Sequence, residues 1–203
     1  MKRTRIIMAI VALLVCTGMT AQNPSKAKEI LDKVAANLNS KGGAQADFTL
    51  SSEGVGSISG TIIIKGKKFH ANTPKASIWY DGKTQWTYMT STEEVNVSTP
   101  TEAQQQTMNP YRFINLYNMG YAMTKKEVKN GFEVYLKATN PKRTITEMYI
   151  TVNNQFVPTN VKMKTAKGWT NINISNFRKA SLPDKAFRFN AKDYPKAEVI
   201  DLR

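Results

Sequence analysis

Imidazole and thiol are scarce in this chain: His70 is its one histidine and Cys16 its one cysteine. His70 follows Phe69 in a β-prone run and reads as a strand residue rather than a general base. Glu93 and Glu94 are consecutive, so on a strand they point to opposite faces and do not form an acid/base pair. Ser77, Ser91 and Ser98 stand in no context resembling a nucleophile elbow. No carboxylate pair is flanked by His or Lys at metal-ligand spacing. The residue types that do chemistry therefore point to a binding protein rather than an enzyme, with no cofactor and no metal. What the sequence has in abundance is apolar surface, and its arrangement carries the functional reading.

That surface is densest between residues 60 and 88, GTIIIKGKKFHANTPKASIWYDGKTQWTY. Ile62, Ile63 and Ile64 are β-branched and suit a pleated surface. Lys65-Gly66-Lys67-Lys68 makes a turn, and Phe69-His70-Ala71 resumes the strand. Ile78-Trp79-Tyr80 and Trp86-Thr87-Tyr88 flank Asp81-Gly82, where glycine takes the positive φ of a hairpin turn without steric cost. Aromatic residues of this size on both arms predict a sheet with a wide apolar face.

Other runs extend the sheet. Ala44, Ala46, Phe48 and Leu50 alternate with polar residues at the period of a half-buried strand. A Gly/Ser-rich link leads into a strand from Ile58 to Ile64, and the same alternation recurs at Val95 and Val97, at Phe132, Val134 and Leu136, and at Met148, Ile150 and Val152. Val161 and Met163, Ile172 and Ile174, and Phe187 and Phe189 add three candidates. Asn130-Gly131, Asn153-Asn154 and Lys167-Gly168 supply turns between them. The reading is an antiparallel sheet of about ten strands without βαβ alternation. Two helices accompany it. Asn23-Pro24 opens the first, whose apolar stripe Ala27, Ile30, Leu31, Val34, Ala35 and Leu38 ends at Gly42-Gly43. Asn109-Pro110 opens the second, over 109–119, with Phe113, Ile114, Leu116, Tyr117 and Met119 apolar on more than one side. A sheet of about ten twisted strands tends to curl. Its concave side is then either filled by its own side chains or left as an apolar cavity lidded by the helices, and pattern alone leaves both open.

The ends of the chain bear on location. Residues 1–5 carry three positive charges, an apolar run follows, and small residues lead to Ala21, the order of a secretory signal over 1–21. Residues 22–203 then form one domain. Cleavage after Ala21 leaves an exported chain with no thiol, held by its core alone. Cys16 has a second reading as the acylated cysteine of a lipoprotein signal, although Val15 is bulky where such signals take a small residue. The formal charge of +14 is spread along the chain without a basic block. No nucleic-acid motif accompanies it, so anionic membrane headgroups, met transiently, are the partner it fits.

The stretch at 60–88 also resembles the periplasmic lipoprotein carriers of the LolA type, in the strand and basic turn of GTIIIKGKKF and in the hairpin DGKTQWTY. The resemblance extends in order through the first helix, Ala46-Asp47-Phe48-Thr49-Leu50, Asn109-Pro110-Tyr111-Arg112-Phe113-Ile114, Phe187-Arg188-Phe189 and the terminal residues 199–203. It implies an incomplete, half-open antiparallel barrel lidded by helices. It implies a carrier that shields the acyl chains of lipoproteins on their way to the outer membrane. The implied partners are acylated lipoproteins, an inner-membrane releasing transporter and an outer-membrane acceptor. The alternative within the same architecture is a membrane-anchored receptor or lipid-binding module, with Cys16 acylated.

On this reading the cavity draws on Phe48, Leu50, Ile62, Ile64 and Phe69 of the early strands and on Trp79, Trp86 and Tyr88 of the aromatic hairpin. Phe113 and Ile114 of the second helix, with Leu136, Met148 and Trp169, complete the set, their faces unassigned without a register. The thioether chains of Met108, Met119, Met123, Met148 and Met163 suit an adaptable lining. The family carries an arginine four residues before the phenylalanine of the second turn. Here that position is Lys65, a point charge without a planar fork, expected at the rim against a lid helix.

Overall fold

Alternating β-branched and aromatic side chains place every second residue on one face, and the chain uses this to build a single sheet. The computed structural model describes residues 24–53, 56–102, 104–105 and 116–203. The first six strands are β1 (Ala44–Ser52), β2 (Gly56–Lys65), β3 (Lys68–Asn72), β4 (Ala76–Tyr80), β5 (Gln85–Met89) and β6 (Glu94–Ser98). The remaining six are β7 (Tyr121–Val128), β8 (Gly131–Ala138), β9 (Glu147–Asn153), β10 (Pro158–Thr165), β11 (Gly168–Lys179) and β12 (Glu198–Asp201). Their order across the sheet is β12-β6-β5-β4-β3-β2-β1-β11-β10-β9-β8-β7, so the sheet is open, with β12 and β7 at its edges.

The sheet has twelve strands rather than about ten, and it is antiparallel except where β12 runs parallel to β6. β7 escapes the alternation rule because Lys125 occupies an apolar position. It lies along the sheet with its ammonium 5.5 Å from the centre of the Phe132 ring, an amphipathic stem on apolar surface. Phe187 and Phe189 do not form a strand. Asp184–Phe187 is a short 3-10 turn, and the edge strand comes later, at Glu198–Asp201.

Helix α1 (Pro24–Leu38) packs on the concave face against β7 and β8. Ala27, Ile30, Leu31, Val34 and Leu38 are buried there in one core with Val134, Leu136, Met148, Ile150 and Val152. Lys28–Asp32 at 2.9 Å and Lys33–Glu29 at 2.7 Å lie on the solvent side of the helix at i,i+4 spacing. The second expected helix, with Phe113 and Ile114, falls mostly outside the described residues, as do the leader, Cys16 and Met108. Within its expected range, the described Leu116–Asn118 form a 3-10 turn. Leu116 and Tyr117 are buried in the α1 core, and the Tyr117 hydroxyl donates to the Asp32 carboxylate.

The chain beyond β11 crosses the convex face. Gly42 and Gly43 make that crossing possible: their carbonyls accept from Leu182 N at 2.9 Å and Ala180 N at 3.0 Å. A Cβ on Gly42 would stand 2.4 Å from the Ala180 oxygen. The segment then lays Phe189 and Tyr194 against Trp79, each with ring centres 5.6 Å away, and Tyr194 against Tyr88 at 4.7 Å. Having traversed the strands between β11 and β6, it adds β12 parallel to β6, the direction a crossover imposes. Val95 and Val97 on this face are buried, as is Phe187.

Candidate functional site

β1 sits in the middle of the sheet between β2 and β11. Its concave row is Ala44, Ala46, Phe48, Leu50 and Ser52, two small residues followed by two large ones. Ile62 and Ile64 of β2, Phe69 and Ala71 of β3 and Ile78 of β4 extend this row on one side. Val161 and Met163 of β10 and Ile172 and Ile174 of β11 extend it on the other. Together they enclose a cavity of about 1210 Å³, which Leu38 of α1 borders. That is larger than the roughly 300–1,000 Å³ of common small-molecule pockets. Phe48 lies across from Ile174 on β11 and from Gly60 on β2. A Cβ at Gly60 would meet the Phe48 ring at 2.9 Å and the Asn72 carbonyl oxygen at 2.2 Å, so only glycine lets the ring lie there.

The cavity has two unlike ends. Near Ala44 its walls are Leu38, Ile64, Phe69 and Phe177. At the end near Ser52, the loop between β8 and β9 contributes Lys142, Arg143, Thr144 and Thr146, and the adjoining ends of β10 and β11 with their turn contribute Thr165, Lys167 and Thr170. Among the described residues, no group of His, Cys, Asp and Glu is placed to hold a metal ion. Chemically, such an arrangement can dissolve an apolar chain at one end and meet polar or anionic groups at the other. Each methylene moved from water into such a cavity is worth about 0.8 kcal/mol.

Five of the residues proposed from sequence line the cavity: Phe48, Leu50, Ile62, Ile64 and Phe69. Leu136 and Met148 share its side of the sheet but are fully buried in the α1 core. Trp79 and Trp86 are direct cross-strand partners, as are Ser77 and Tyr88, and both pairs face the convex side beneath the C-terminal segment. Trp169 also faces away. Its ring lies 6.0 Å from that of Tyr149 and carries Lys162 and Lys164 over it at 4.7 and 5.5 Å. All three tryptophans of the chain are thus on the opposite face from the cavity, and their fluorescence is no direct reporter of its contents. Of the methionines with a described position, only Met163 is in the lining. The sequence reading missed Ile172, Ile174, Val161 and the cationic end. The alternation of β11 carried the signal for the first two; the loop residues 142–144 carried none.

Lys65 has the opposite parity to Ile64 and reaches the C-terminal segment rather than a helix end. Its ammonium donates to the Leu182 carbonyl at 2.8 Å and to Asp184 at 3.1 Å, and Lys68 reaches the same carboxylate at 2.8 Å. Hydrogen bonds from Lys68 and Lys65 hold the Asp184 carboxyl below its ordinary range. Lys65→Leu is expected to cost about 1 kcal/mol through the bond to the part-buried Leu182 carbonyl. A melting curve tests it, and acyl binding should be unchanged because the cavity is on the other face. A loss of binding in this variant would overturn the assignment of Lys65 to the C-terminal segment.

His70 lies on the convex face, stacked on Trp79 with ring centres 4.7 Å apart. Its buried Nε2 has no hydrogen-bond partner among the described residues, and burial pushes its pKa below the usual 6.5. The folded protein therefore binds this proton less readily than the unfolded chain. The stability this contributes is complete above about pH 6.5 and is lost as pH falls below it toward the depressed folded value. The urea midpoint should drop on acidification from about pH 7 to about pH 5, and His70→Gln should flatten that slope. An unchanged slope in the variant would assign the titration elsewhere.

The family described as outer membrane lipoprotein carrier protein LolA matches residues 17–167, more than half of the chain. No curated protein sequence matches it. Among solved structures, an uncharacterized conserved protein from Thermus thermophilus is similar with a TM-score of 0.59 at 14% identity, covering 87% of this chain and 99% of its own. MucB is similar with a TM-score of 0.50 at 14% identity, over 82% of this chain and 64% of its own. A LolA superfamily protein from Nitrosomonas europaea aligns at 13% identity with a TM-score of 0.45, over 80% of this chain and 97% of its own. At 14% identity, the likeness to the first two is one of fold.

Proposed function

Because this chain belongs to the LolA family of outer membrane lipoprotein carrier proteins, we propose that it is a carrier that shelters acyl chains of lipoproteins in its concave cavity and delivers them to the outer membrane. The observation that carries this reading is the cavity of about 1210 Å³, walled by aliphatic and phenylalanine side chains of six strands. An acyl chain of a dozen or more methylenes gains on the order of 10 kcal/mol by burial, so it does not cross water unshielded.

The expected route runs through the periplasm, with residues 1–21 as the export signal, a releasing transporter at the inner membrane and an acceptor at the outer membrane. No helix among the described residues is long and apolar enough to cross a membrane. The role is binding and transfer rather than catalysis; the one imidazole is on the face away from the cargo. Cys16, at the end of the apolar run of the leader, supports a second reading as a lipid-anchored receptor of the same fold. The mature N-terminus discriminates: cleavage after Ala21 fits the shuttle, and a modified Cys16 fits the receptor.

The test is transfer of a labelled lipoprotein from inner-membrane vesicles through the purified protein to outer-membrane vesicles, with mass spectrometry of what copurifies. Acylated cargo should copurify and transfer. A protein that carries no lipid and transfers none would overturn the reading.

A further inference from the structure

The polar end of the cavity differs from a simple wet rim in holding three cations against five hydroxyls. Lys142, Arg143 and Lys167 line it, and no carboxylate of the described residues stands within ion-pairing distance of any of them. Glu53 is the carboxylate on that side, near Gly168 at the turn that carries Lys167. Arg143 is the most constrained of the three. Its guanidinium lies 5.3 Å from the centre of the Tyr121 ring, and the Tyr121 hydroxyl is fixed by donating to the Ile145 carbonyl at 2.7 Å. Its backbone N–H donates to the Asn140 carbonyl at 3.2 Å. The Arg143 side chain is part-exposed, and no carboxylate among the described residues offsets its charge. An anionic group at the mouth of the cavity would supply that partner.

Building on the acyl-binding reading, we propose that, besides the uncharged ester- and amide-linked acyl chains of a lipoprotein, the cavity takes free amphiphiles whose acyl chain ends in an anionic group, with Arg143 as the principal receiver of that group and Lys142 and Lys167 beside it. The chain then runs from this end along Leu50, Ile172 and Phe48 toward Ala44. Arg143 suits either a carboxylate or a phosphate because its planar fork matches both. A fatty acid supplies the first and an anionic lipid the second. Ser52, Thr144, Thr146, Thr165 and Thr170 supply hydroxyls to the remaining oxygens.

The experiment compares four probes of equal chain length on the purified protein by calorimetry: dodecanoate, dodecyl phosphate, dodecyl maltoside and dodecyltrimethylammonium. The anionic pair should bind about tenfold more tightly than the neutral and cationic probes, with the advantage shrinking as salt is raised. Arg143→Gln should remove most of that advantage, weakening the anionic probes several-fold more than dodecyl maltoside. Tighter binding of the carboxylate supports a fatty-acid source; tighter binding of the phosphate supports an anionic lipid. If all four probes bind alike, the headgroup inference is overturned while the acyl reading stands. If none binds, the acyl reading itself fails. Equal weakening of every probe by Arg143→Gln would show that its guanidinium only packs on Tyr121. That outcome too would overturn the proposal.

Discussion

A carboxylate at the centre of the cavity floor is expected to abolish acyl binding while leaving the sheet intact. Ile172 is the position for it: it lines the cavity and pairs with Leu50 on β11's β1 side and with Val161 on its β10 side. In the empty cavity a glutamate there keeps its water, because Ile172 is only partly buried. When an acyl chain enters, that water is displaced and the charge has no partner on an apolar wall. Burying an unpaired charge costs several kcal/mol, so Ile172→Glu should weaken binding by at least about 100-fold. The measurement is displacement of an apolar dye, with a melting curve to show that the fold survives. Ile172→Trp, by the same geometry, would put a fluorophore against the cargo that the native tryptophans are not positioned to supply. If Ile172→Glu binds acyl ligand within about threefold of the parent, the cavity is not the acyl site.

The second large effect is on stability. Phe187 is fully buried in the 3-10 turn that packs on β3, in the layer laid over the convex face. Truncation to alanine should cost about 3–5 kcal/mol, the range for a buried phenylalanine whose site collapses only in part. The loss should be felt by the whole C-terminal segment. That segment continues through Phe189 and Tyr194 on Trp79 to the edge strand β12. Urea denaturation measures the stability, and amide exchange at Glu198–Asp201 follows the edge strand. Because this layer lies behind the sheet, acyl affinity at a temperature where the variant stays folded should change by less than about threefold. A stability loss below about 1 kcal/mol would mean that the segment rests on its hydrogen bonds to Gly42, Gly43, Lys65 and Lys68 rather than on its aromatic packing.

By itself the sequence determined the elements that local physics controls. The alternation of β1, β8, β9 and β11, the turn at Asp81-Gly82 and the stripe of α1 are each set within a few residues by strand period, glycine φ and helical period. It also determined that apolar surface, not titratable chemistry, is what the chain has to offer. Faces and partners were different. Strand parity splits each run into two rows, and nothing local says which row meets the cavity. The hairpin of Trp79, Trp86 and Tyr88 has as good an apolar row as Ile62 and Ile64. Its aromatics face the convex side because Phe189 and Tyr194, far along the chain, cover them there. Lys65 likewise follows its parity to Leu182 and Asp184, a contact across 117 and 119 residues. β12 announces nothing locally, since an edge strand made by a crossover depends on where the crossover lands. The cationic end of the cavity is assembled from the loop between β8 and β9 and the turn between β10 and β11, and only the folded sheet brings Arg143 and Lys167 to one mouth. Strand existence is a property of a few neighbouring residues; strand face, edge and mouth are properties of the closed set of pairings, and only the tertiary structure decided them.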